Sequence, residues 1–207
     1  DFNVNTTADT IDRDVNDSIC ADVDDRCSLR AAVMQANQRA GEAHVIYLPA
    51  GIYTLSISGR AEHYGRTGDL DVSGNITITS NESDPARTIV DGGGIDRVFE
   101  VVGPGHVTFR FITIRNGNAL NNAFNYASGG GIAVTGGGMS VNGQTTWLLV
   151  EHCIIRDNRG SASGGGIDIT NAKGTSRDTA ILNNTTQGGG GGVSVGLAGD
   201  VFIVNST

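Results

Sequence analysis

Lysine is almost missing from this chain. Lys173 is the single lysine among 207 residues, there are two methionines and one tryptophan, and charged residues make up only 17%. The formal net charge is −8, and no basic run offers a phosphate backbone a footprint, which excludes nucleic acid as a partner. Long apolar stretches are missing too, so no membrane insertion is expected. The start, DFNVNTTADT, has neither a Met nor a charged-then-apolar leader, and is expected to be a processed mature end. Proline occurs three times and cysteine three times.

Of the cysteines, Cys20 and Cys27 stand seven apart in an Asp-rich segment, and Cys153 lies in the apolar run LLVEHCII. A local disulfide between Cys20 and Cys27 is the favoured reading, and it implies an oxidising compartment. The rival, a metal-ligand pair, has a spacing that fits no zinc pattern and no nearby His. Cys153 is expected to be a buried small apolar residue.

What the chain does have is glycine, 31 of them, with abundant Asn, Thr, Val and Ile. Such a composition favours strands and tight turns. Glycine triplets open three short alternating runs, SGGGIAVT, SGGGIDIT and GGGGVSVG, at spacings of 35 and 26 residues. Upstream of them FITIRNG (111–117), HCIIRDN (152–158) and DTAILNN (178–184) also match one another. Repeats of this length, built from strands and turns, point to stacked coils of parallel strands. Val and Ile would face inward, Asn158 and Asn184 would form a side-chain ladder, and the glycines would occupy corners that a Cβ obstructs. A phosphate-cradling loop is the alternative, but no Lys-Ser/Thr follows and no helix begins there. Earlier alternating strands at 44–56, 69–80, 87–94 and 97–117 extend the series.

One segment differs. In SLRAAVMQANQRAG (28–41), Leu29, Ala32, Val33, Ala36 and Ala40 share a helical face, Ser28 suits the N-cap and Gly41 the C-terminal stop. A helix here would cover the apolar end of the stack. At the other end VFIVNST (201–207) matches WLLVEHC (147–153) at a displacement of 54, so the last coil is expected to be incomplete and open. The expected fold is therefore all-β, a right-handed parallel β-helix with a short N-terminal capping helix. Residues 1–43 form the cap and 44–207 the coils.

The residues CSLRAAVMQAN, IYLPAGIYTL and GDLDV resemble a bacterial family known by its CSLREA motif. The likeness runs from VNTTADT to the glycine triplets. It implies a secreted or surface protein with a parallel β-helix of the pectin-lyase-like kind. Ala31 replaces the motif's Glu, on the solvent side of the helix by the helical wheel. The motif speaks to fold and location and says little of activity.

Carboxylate chemistry on such a fold requires acids on adjacent coils or a paired Asp-Asp. Asp24-Asp25 is the only doublet, and it lies in the cysteine loop; no catalytic residue is assigned. Arg115 and Arg156 match between coils and read as a solvated edge. Asp12, Asp14 and Asn16 alternate like the start of a calcium loop, but an EF-hand would need Gly at 17 and an acid at 23, where Asp17 and Val23 stand. A looser Ca²⁺ site competes there with a plain acidic surface, and no other cofactor is expected. Binding is more readily supported. Phe124 and Tyr126, with Trp147 just after, sit among Asn and Gln, and His63 and Tyr64 occupy a second loop; both are candidates to hold a glycan. The expected function is a non-enzymatic extracellular rod for surface attachment or for assembly by end-to-end stacking of copies. The alternative is a carbohydrate-binding module or a polysaccharide lyase or hydrolase.

Overall fold

The structure, a computed structural model, describes residues 1–59, 62–119, 129–135 and 145–207. Among these it is all-β, with one α-helix, and every strand pairing is parallel. The largest sheet has seven strands in the order β1 (Phe2–Asn3), β2 (Ala43–Leu48), β5 (Asn75–Ser80), β8 (Gly105–Arg110), β11 (Thr146–Glu151), β15 (Lys173–Arg177) and β19 (Asp200–Val204). A second has five: β3 (Gly51–Thr54), β6 (Thr88–Asp91), β9 (Thr113–Arg115), β12 (Ile154–Arg156) and β16 (Ala180–Leu182). The third also has five: β4 (Leu70–Val72), β7 (Phe99–Val102), β10 (Ile132–Thr135), β14 (Ile167–Thr170) and β18 (Val193–Val195). The short β13 (Arg159–Gly160) and β17 (Thr185–Thr186) pair with each other.

Alternation explains which face each strand buries. In β5 the residues Ile76 and Ile78 are buried while Thr77 and Thr79 are half-exposed, the period of two that a one-sided strand requires. Inward residues from all three sheets meet in one cluster: Ile46, Ile78 and Phe109 from the first, Val90 and Ile114 from the second, Leu70, Phe99 and Ile132 from the third. Phe99 and Phe109 touch across it, with ring centroids 4.6 Å apart.

The turns between sheets recur at fixed positions. Phe111, His152, Asp178 and Asn205 each follow a strand of the first sheet, and all have positive φ. The glycine triplets have two jobs. Their first members, Gly129, Gly164 and Gly190, have φ of +68°, +55° and +70°. Their later members allow close approach: a Cβ on Gly131 would stand 2.6 Å from the Gly166 carbonyl and 2.9 Å from Asn158 Nδ2. Asn158 Nδ2 in turn donates to Asn184 Oδ1 at 3.0 Å, which is the expected side-chain ladder. Register joins Ile132, Ile167 and Val193, so the 35- and 26-residue spacings hold.

The last repeat aligns differently. β11 and β15 pair Leu148 with Gly174, and β15 and β19 pair Gly174 with Val201, a displacement of 53 rather than 54. A slip of one exchanges the two faces of a strand, so Asp200, not Val201, lies in line with Trp147. Similar apolar letters on both faces of VFIV made the two alignments indistinguishable by sequence.

The helix, α1 (Leu29–Asn37), begins as expected: the Ser28 hydroxyl accepts from the Ala31 N–H at 3.0 Å. It ends earlier than Gly41, and Ala40 lies outside it, exposed. Leu29, Ala32, Val33 and Ala36 join the core. The opposite side is buried as well, which corrects the expectation for Ala31, whose exposure is 0%. The reason is the Asp-rich segment, which folds over the helix. Gln35 Nε2 donates to Asp14 O, Asp17 Oδ1 and Ile19 O, and the Arg30 guanidinium donates to Asp9. Cys20 and Cys27 are disulfide-bonded in that segment. Cys153 is free and buried, and burial pushes its thiol up to about 12, which leaves it inert near neutral pH. Among the described residues, no helix is long and apolar enough to cross a membrane.

Candidate functional site

The third sheet is buried on both faces in β4, β7, β10 and β14, and only its last strand, β18, is partly exposed. The sheet's inward side chains belong to the core, while Asp71, Glu100, Ala133, Asp168 and Ser194 form an in-register column on the other side. Asp71 is only 1% exposed, Glu100 6% and Asp168 4%. Carboxylates so enclosed need partners. Arg97, just before β7, serves Glu100 and the neighbouring Asp69: its Nη2 reaches Glu100 Oε2 and its Nε reaches Asp69 Oδ2, both at 2.7 Å. Thr135 Oγ1 donates to Glu100 Oε1 at 3.1 Å, and Ser163 Oγ to Asp168 Oδ1 at 2.9 Å.

Asp71 is served least. Its Oδ2 accepts from the Gly65 N–H at 2.8 Å, and its Oδ1 is buried with no hydrogen-bond partner among the described residues. Burial, then the charges of Asp69 and Glu100, push its pKa up to about 8. The same two carboxylates outweigh the opposing effect of burial and hold Arg97 charged. The loop at 62–68 brings His63 to this group, its Nδ1 3.7 Å from Glu100 Oε2. Glu62 shapes that loop by accepting from Tyr64 N and Thr67 N. Arg30 pins it from below, donating to the carbonyls of Gly65 and Gly68 at 2.8 Å. His63 and Tyr64 also border an open cleft of about 320 Å³, whose other wall includes Met34 and Asn37 of the helix.

Sequence reading picked out His63 but missed Asp71 and Glu100, which stand on adjacent strands and form no doublet. The signal was present: aligning GDLDV with RVFEVV places Asp71 beside Glu100. Nothing in the sequence could have brought the loop residue His63 to them.

The other candidates are placed as follows. Phe124 and Tyr126 lie outside the described residues. Trp147 projects from the outer face of the first sheet, in register with His106 and Lys173 on the strands either side. The His106 ring stacks on it at 5.9 Å and Lys173 Nζ lies 5.2 Å from its centroid, while Trp147 stays 38% exposed. Asp12 Oδ1 and Oδ2 accept from Asp14 N and Ala21 N, and Asp14 Oδ1 accepts from both nitrogens of Asn16, so these carboxylates hold turns. Asp22 does the same more strongly. Burial alone would raise its pKa, but donors from Arg26, Asp24 and Thr10 hold it at about 2. Among the described residues, the one set of three His, Cys, Asp or Glu side chains with ligand atoms all within 4.8 Å is His63, Asp71 and Glu100.

No protein-family model, curated protein or solved structure matches the chain.

Proposed function

We propose that this chain is a right-handed parallel β-helix from a secreted or surface-displayed protein related to the CSLREA-motif family. In this reading it works as a rigid, non-enzymatic rod that attaches or extends structures at the cell exterior. The observation that carries it is the strand order. The chain visits the first, second and third sheets in turn and then returns to the first, always parallel and in register. Parallel crossovers of this kind are right-handed. Interior strands have backbone partners on both sides, which stiffens the stack along its axis. Residues 1–43 form its cap, with α1 covering the apolar end. The disulfide supports an oxidising exterior.

A second reading, a polysaccharide lyase or hydrolase, is favoured by one feature: Asp71 and Glu100 stand on adjacent strands, Asp71 with its pKa pushed up to about 8 by burial and Glu100 ion-paired with Arg97. The two readings separate on a panel of uronate and neutral polysaccharides assayed for unsaturated or reducing ends. The rod reading expects no new ends with any of them. Product formation that disappears in Asp71→Asn and Glu100→Gln would establish the enzyme instead.

A further inference from the structure

We infer that His63, Asp71 and Glu100 form a binding site for one divalent cation of the zinc type. The inference stands apart from the choice between rod and enzyme, since it concerns only what these side chains hold.

Three observations combine. The first is the donor set: one imidazole nitrogen and two carboxylates, with ligand atoms all within 4.8 Å of one another. Ligand atoms at about 2.1 Å around a tetrahedral cation stand roughly 3.4 Å apart, and His63 Nδ1 already lies 3.7 Å from Glu100 Oε2. His63 is the exposed member, at 64% for its side chain, so its ring has room to close the remaining distance. The second is Asp71 Oδ1, buried and without a hydrogen-bond partner among the described residues, on the strand next to Glu100. A buried acceptor left unpaired costs about 1–3 kcal/mol, and a cation would satisfy it. The third is charge. Asp69 and Glu100 share a single guanidinium, Arg97, so two carboxylates meet one positive charge there. A divalent cation beside them corrects that excess.

Ligand chemistry selects the metal. Calcium and magnesium prefer oxygen alone, whereas an imidazole with two carboxylates suits zinc. The exposed ligand, His63, borders an open cleft. The three protein ligands leave the remaining coordination to water.

The test is calorimetric titration of ZnCl₂ into the full chain after EDTA treatment and dialysis, with CaCl₂ in parallel. The variants are His63→Ala, Asp71→Asn and His106→Ala. His63 is exposed and Asn at 71 keeps an acceptor for the Gly65 N–H, so both variants should fold, which circular dichroism verifies. The expected result is one Zn²⁺ per chain, weakened at least tenfold by His63→Ala and by Asp71→Asn and unchanged by His106→Ala. No zinc binding would overturn the inference, leaving Asp71 as a neutral acid beside Glu100. Binding that survives His63→Ala would also overturn it, as would a preference for Ca²⁺ over Zn²⁺.

Discussion

Replacing Arg30 by alanine is expected to lower the unfolding free energy by about 3–5 kcal/mol. Its side chain is 0% exposed and that of Asp9 3%, and the two make a fork of hydrogen bonds at 2.6 and 3.2 Å. The remaining donors reach the carbonyls of Gly65, Gly68 and Asp69. Removing the guanidinium leaves a buried carboxylate and three carbonyls without that donor, although the Ser56 and Ile57 N–H groups still serve Asp9. Lysine should recover only part of the loss, because a point charge cannot reproduce a planar fork with several acceptors. Urea unfolding gives the answer, with the shift in midpoint read at constant m. A loss below about 1 kcal/mol, the range of an exposed pair, would mean that Arg30 is not the clasp between Asp-rich segment, helix and first loop. The loop it clasps is the one that carries His63, so zinc affinity should fall in the same variant.

Asn158→Ala is expected to cost about 2–6 kcal/mol, from two buried groups left unpaired at about 1–3 kcal/mol each. The fully buried Asn158 accepts from the Gly117 N–H at 2.9 Å and donates to the Ile114 carbonyl at 3.2 Å and to Asn184 Oδ1 at 3.0 Å. Asp at this position keeps the acceptor but loses both donated bonds and buries a charge, so it should be worse than Ala. Asn184→Ala should cost less than half as much. Asn184 makes an equivalent bond to the Ile155 carbonyl but is only partly buried, so water can replace what it loses. Equal losses at 158 and 184 would show that burial does not set the strength of the ladder.

Particular residues show how far the sequence could be read. The glycine triplets and Asn158 were legible because corners admit few residue types and repeat them at the coil spacing. The disulfide was legible from the isolation of Cys20 and Cys27. Ala31 was not, because a helical wheel assumes that one face meets water, and here the Asp-rich segment covers that face. The register of β19 was lost where both faces of VFIV are apolar. Asp71 and Glu100 read as ordinary outward polar residues, since alternation reveals which face is inward but not that the outward face is buried too. That last failure hid the candidate site.

Everything proposed for the site depends on neighbouring strands stacking in parallel register, and a cross-link tests that most directly. Thr77 of β5 and Thr108 of β8 are register partners on the half-exposed face of the first sheet. Neighbouring strands lie about 4.8 Å apart, within reach of a disulfide, whereas a second strand over, at about 9.6 Å, is beyond it. Thr77→Cys with Thr108→Cys should therefore oxidise to a Thr77–Thr108 cross-link, seen by peptide mass mapping. Thr77→Cys with Leu149→Cys, one strand further along, should stay reduced. A cross-link in the second pair and none in the first would contradict the stacking, and with it the placement of Asp71 beside Glu100.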